Sequence, residues 1–115
     1  MDKVLNIIST IPIFNGLPED QMVAIRKIAL EKEFNKGEII FSEGDEGNGF
    51  FVISNGRVKV FKVSTEGKEQ ILHIFGPGHP FGEVPVFAGQ KFPTNAQAIE
   101  RTRVLFFLRS SIVNL

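Results

Sequence analysis

No cysteine occurs in these 115 residues, and that absence removes disulfides, thiolate nucleophiles, zinc ribbons and iron–sulfur ligation together. Tryptophan and tyrosine are missing too, so the aromatic content is twelve phenylalanines. Such rings cannot donate hydrogen bonds and read as core filling rather than as an aromatic ligand cage. Net charge is also lacking: 13 basic side chains balance 13 acidic ones, and the isoelectric point is near 6.7. A domain that grips a phosphate backbone shows a basic face or an elevated isoelectric point, so these residues alone are not expected to bind DNA. No run of about 18 apolar residues is present to span a membrane. Met1–Asn6 lacks the basic start and long apolar stretch of a signal peptide. The expected location is therefore soluble and cytoplasmic, without a membrane partner.

What is present is the material of one folded domain. Hydrophobic residues make up 43% and charged residues 23%, an ordinary globular balance. A chain of this size buries roughly two-thirds of its unfolded surface and supports one core. Val4, Leu5, Ile7 and Ile8 form a short apolar segment that Pro12 interrupts. Pro18 then suits the first position of a helix with Glu19 and Asp20 in its first turn, and Met22, Ile25, Ile28 and Ala29 recur on one face up to about Leu30.

From Glu33 to Leu108 the pattern changes to short strands with turn signals about every ten residues, the spacing of an all-β sandwich or barrel. Asn55-Gly56 reads as a type I′ hairpin turn between Phe50–Ile53 and Arg57–Val63, because both residues tolerate positive φ. In the second of those strands Arg57, Lys59 and Lys62 fall out of alternation, which predicts a bulge or a two-faced strand. A second hairpin turns at Thr65–Lys68 into Gln70–Phe75. Pro85 and Gly89 bracket about one turn of helix, and Asn95–Ile99 and Arg103–Leu108 read as the last strands. Arg109–Leu115 reads as the opening of a further helix. The expected organisation is one domain, 1–115: N-terminal helices over 1–30, a β-roll over 33–108, and the start of a C-terminal helix over 109–115.

The order of the glycines carries a resemblance. Lys36-Gly37-Glu38, Glu43-Gly44-Asp45, Asn55-Gly56, Glu66-Gly67, Gly76-Pro77-Gly78 and Phe81-Gly82-Glu83 together resemble the glycine scaffold of the cyclic-nucleotide-binding domains. The likeness runs from about residue 13 to the end. It implies a mainly β fold with flanking helices, a jelly-roll-like double-stranded β-helix, or β-roll, with a phosphate-binding cassette between two strands. It also implies a ligand site at Phe81, Gly82, Glu83, Val84, Thr94, Asn95 and Ala96. In family members that bind a cyclic nucleotide, the acid matching Glu83 takes the ribose hydroxyl, a backbone N–H two residues later helps hold the phosphate, and an arginine in a Pro-Arg-Ser/Thr-Ala run pairs with it.

This sequence departs at two of those positions. Pro93-Thr94-Asn95-Ala96 puts threonine where the arginine is expected, and Pro85 falls where the N–H is expected but has none. Cyclic AMP is therefore not expected to bind tightly; no cofactor is certain, and the class of effector the resemblance implies is a small anion or a nucleotide whose identity the sequence does not give. Lys91, Arg101 and Arg103 are the cations that could compensate.

The wording of Ile11–Leu17 and Gln97–Leu105 resembles bacterial transcription regulators of the Crp/Fnr type. That likeness implies a homodimer that reaches DNA through a helix-turn-helix following this segment. The alternative it leaves open is a regulatory module of a kinase, channel or transporter. Only His73 and His79 are available as imidazole ligands, whereas a cupin-type oxygenase needs about three His and a Glu converging on a metal. An enzyme is not expected. His73, within a strand among apolar residues, is expected to be packed, and His79 to lie in a loop.

Overall fold

The computed structural model describes Ile8 and residues 12–114. The apolar segment before Pro12 thus lies outside the described residues, apart from Ile8. Helix α1 spans Glu19–Ile28. Pro18 precedes it in extended backbone, and its carbonyl accepts from the N–H groups of Gln21 (3.1 Å) and Met22 (3.0 Å). The acids Glu19 and Asp20 sit in the first turn and Arg26 and Lys27 in the last, both favourable to the helix dipole. Ile25 is buried, with Met22 and Ile28 half-buried beside it. The helix ends two residues earlier than the pattern predicts, because Ala29 is extended and Leu30 already pairs with Phe106.

Eight strands follow among the described residues: β1 Leu30–Phe34, β2 Ile39–Phe41, β3 Gly49–Asn55, β4 Val58–Val63, β5 Glu69–Phe75, β6 Pro80–Phe81, β7 Asn95–Ala98 and β8 Thr102–Leu108. The five-residue helix α2, Glu83–Phe87, separates β6 from β7, and α3, Arg109–Val113, follows β8. All pairings are antiparallel, in two four-stranded sheets ordered β1-β8-β3-β6 and β2-β7-β4-β5. The mainly β architecture with flanking helices is the one the glycine pattern implies.

The core sits largely on β3 and β8. Phe50, Val52, Ile53, Val104, Leu105 and Phe107 are at most 1% exposed, and phenylalanine fills most of the rest. Phe14 packs edge-on to Phe107 with centroids 5.7 Å apart, and Phe50 stacks on Phe107 at 5.2 Å. Offset and edge contacts of this kind suit the quadrupole of the ring.

Asn55-Gly56 does not close a hairpin. Only Gly56 of the pair has positive φ (+92°), so the type I′ geometry is not formed. Strand β3 pairs with β8 and β6, while β4 pairs with β5 and β7, and the turn is a corner that carries the chain from one sheet to the other. Glycine is required there for a second reason: a Cβ would press on Thr102 and on the Arg101 carbonyl. The other predicted hairpin does form. Ser64 N–H donates to the Lys68 carbonyl (2.8 Å) and Gly67 takes φ +81°. The bulge expected in β4 lies between Val60 and Phe61, where the register against β5 shifts. His73 is not packed: it is exposed on β5, its ring stacked on Phe75 with centroids 5.1 Å apart.

Candidate functional site

The connection from β5 to α2 builds the site. Gly76-Pro77-Gly78 turns the chain, with Gly78 N–H donating to the Ile53 carbonyl (2.7 Å), and β6 then adds Pro80 and Phe81 to the edge of the first sheet. Gly82 follows at φ +81°, a left-handed conformation that starts α2. Here glycine is needed twice over, since a Cβ would also lie 3.0 Å from the Phe92 ring and 3.4 Å from that of Phe41. The glycine thus seats the helix start directly on an aromatic pair.

Proline lies inside this helix, not at its start. Glu83 is the first helical residue and Pro85 the third. The first four N–H groups of a helix have no partner within it, so α2 tolerates Pro85 and the site simply has one donor fewer. The helix ends through Ala88 N–H to Val84 O (3.1 Å) and Gly89 N–H to Val86 O (3.1 Å).

A cavity of 160 Å³ opens against this segment. It is lined by Phe41 of β2, Val60 of β4, Phe75 of β5, His79, the segment Pro80–Pro85 and the stretch Phe92-Pro93-Thr94. Phe41 and Phe92 stack at 3.9 Å with only 8° between planes. Five of the seven residues predicted for the site therefore line one cavity: Phe81, Gly82, Glu83, Val84 and Thr94. Val84 is 72% exposed and stands at the mouth, whereas Phe81 is buried. Glu83 is half-buried, and it makes no hydrogen bond or ion pair with a described residue.

Asn95 and Ala96 are placed elsewhere. Asn95 Oδ1 accepts from Glu43 N–H (2.8 Å) and its Nδ2 donates to the Phe61 carbonyl (3.5 Å), so its amide ties the 43–48 loop to β4. Ala96 is fully buried in β7 opposite Val60 and Phe41.

The cations offered as substitutes for the arginine do not line the cavity either. Arg101 and Arg103 meet Glu33 at 2.5 and 3.8 Å, and Lys91 meets Glu46 at 3.9 Å. The hydrogen bond from Arg101 holds the Glu33 carboxyl below its usual range. Sequence reasoning missed Val60 and Phe75, since nothing local marks a strand residue as facing a cavity. It read Phe41 and Phe92 as core filling with the other phenylalanines; both are 5% exposed, and both also line the cavity. A larger opening of 370 Å³ lies on the other side of the same pair, where the Lys32 ammonium sits 4.3 Å from the Phe106 ring centre.

An eight-stranded roll with a glycine-seated helical turn and a cavity beside it defines a class, the β-roll domains. The family profile described as "Cyclic nucleotide-binding domain" matches residues 31–115, and the chain belongs to that family. It is 29% identical over 112 residues to a protein of Mycobacterium tuberculosis called CRP-like cAMP-activated global transcriptional regulator, covering 97% of this chain and 49% of that one. It is 35% identical over 84 residues to human cGMP-dependent protein kinase 2, covering 71% of this chain and 11% of the kinase. The crystal structure of Thermus thermophilus catabolite activator protein superposes with a TM-score of 0.80 at 27% identity, over 90% of this chain and 48% of that chain. The chain spans about half the length of these bacterial regulators. No described helix is long and apolar enough to cross a membrane.

Proposed function

We propose that this chain is the effector-sensing domain of a cytoplasmic transcription regulator of the Crp/Fnr type, and that its cavity binds cyclic AMP and cyclic GMP weakly. The observation that carries the second half is the charge of the cavity: Thr94 stands in it, Glu83 stands in it, and among the described residues no lysine or arginine does. A buried phosphate deprived of its cation is destabilised by about 3–5 kcal/mol. At about 1.4 kcal/mol per decade that is a loss of order a hundredfold or more. Pro85 removes one further donor.

The first half rests on the shared roll and on the likeness to bacterial regulators. In such a protein the domain has no catalytic role. It works as one half of each subunit of a homodimer, biasing a helix-turn-helix that makes the DNA contacts. A ligand can shift such a device by no more than its difference in affinity for the two arrangements. The likeness to the kinase segment favours a second reading, a regulatory module of a kinase. Retardation of promoter DNA by the full-length protein separates the two.

Calorimetry with cyclic AMP and cyclic GMP tests the cavity. The expected outcome is no saturable heat at micromolar nucleotide; a dissociation constant in the low micromolar range or tighter overturns the reading.

A further inference from the structure

We infer that the cavity takes a small, flat, apolar ring that presents a hydrogen-bond donor or a positive charge to Glu83, and not an anion. The inference rests on the reading that tight cyclic-phosphate binding is lost, and it names what the remaining chemistry selects instead.

The two titratable side chains lining the cavity are Glu83 and His79. His79 Nδ1 lies 2.7 Å from the Pro80 carbonyl. A carbonyl only accepts, so Nδ1 carries the hydrogen, and Nε2 of the neutral ring is left as an acceptor. The Glu83 carboxylate is also an acceptor, half-buried among phenylalanine and proline and unpaired among the described residues. Thr94 adds a hydroxyl that either donates or accepts, and it makes no hydrogen bond to a described residue.

A site whose charged group is a carboxylate, with no cation to balance it, repels an anion and gains most from a charged donor. Among the described residues no lysine or arginine lines the cavity. Besides the three pairs above, Lys62 meets Glu43 at 3.9 Å, and Arg109 Nε donates to the Val86 carbonyl (2.8 Å) at the far end of α2.

Shape and size fix the rest of the ligand. Apart from Glu83, His79 and Thr94 the lining is apolar, with Phe41, Val60, Phe75, Phe81, Phe92 and three prolines around the cavity. The volume of 160 Å³ is about half the low end, roughly 300 Å³, of sites for drug-sized ligands. It suits one ring with one polar substituent.

The probes are benzamidine and benzoate, one-ring molecules of similar shape and opposite charge. Each is titrated into the ¹⁵N-labelled chain while the amides of Gly82, Glu83, Val84 and Thr94 are followed by NMR. Benzamidine is expected to shift these amides and to bind at least about tenfold more tightly than benzoate. Glu83→Gln should weaken benzamidine by about tenfold or more and leave benzoate unchanged or tighter, with an unfolding midpoint equal to that of the parent. Equal or tighter binding of benzoate to the parent chain, no shift with either probe, or unchanged benzamidine affinity in Glu83→Gln overturns the inference. The calorimetry with cyclic nucleotides is a separate measurement. Failure of benzamidine alongside weak cyclic AMP sinks this inference alone, and tight cyclic AMP sinks the reading beneath it.

Discussion

Strands β3 and β5 are of equal length and carry similar apolar side chains, Phe50-Phe51-Val52-Ile53 in one and Ile71-Leu72 with Ile74-Phe75 in the other. In β3 every residue from Gly49 to Ile53 is buried; in β5 only Phe75 is even half-buried, and Ile71 and Ile74 are each 51% exposed. The difference lies in their neighbours. Strand β3 has β8 on one side and β6 on the other, while β5 pairs with β4 alone and forms the edge of its sheet. Hydrophobicity thus says that a residue can be buried, and its place in the ladder decides whether it is. Stability is concentrated in the first sheet, and the cavity borrows one residue, Phe75, from an edge strand that contributes little else to the core.

The largest test of that contrast is Phe107→Ala. Phe107 is fully buried against Phe14 and Phe50, and its truncation should cost about 3–5 kcal/mol of unfolding free energy in urea titration. Loss of less than about 1 kcal/mol would mean that the first sheet is not where the stability resides.

Ile74→Ala should change the same measurement by no more than about 0.5 kcal/mol, as surface substitutions usually do. If it costs as much as Phe107→Ala, then β5 is covered in solution and the contrast is broken.

The smallest effect belongs to Glu33→Gln, at the exposed pairing of β1 with Arg101. The Arg101 hydrogen bond lowers the Glu33 pKa, so its contribution is present above the unfolded carboxyl pKa and is lost as pH falls through the folded one. The parent should therefore lead the variant slightly in melting temperature near about pH 6, and the gap should close towards about pH 3 and in high salt. A gap that widens on acidification would contradict the assigned direction.

The candidate site was legible in part, and the division has a physical cause. Gly82, Glu83 and Val84 follow one another in the chain, and glycine at φ +81° beside two rings has no substitute, so a local pattern locates them. Thr94 was placed by the Pro93-Thr94-Asn95-Ala96 run that resembles the arginine station. Asn95 was read towards the ligand, but its amide found the Glu43 N–H, 52 residues away in sequence. Val60 and Phe75 became lining residues only through the β4–β5 pairing and the fold of that hairpin over the cassette. No alternation announces this, since alternation marks a strand with one wet face and not the identity of what lies across the other.

By itself, then, the sequence determined what short-range chemistry controls. Glycine stations at turns and the Ser64–Lys68 hairpin follow from residue types within a few positions of one another. Tertiary structure alone decided which strands are central, why Asn55-Gly56 is a corner between sheets, and which of two similar apolar strands is buried. Those outcomes depend on partners about fifty residues apart, such as β3 and β8. The preference between them arises from shared burial and ladder hydrogen bonds that exist only once both strands are in place.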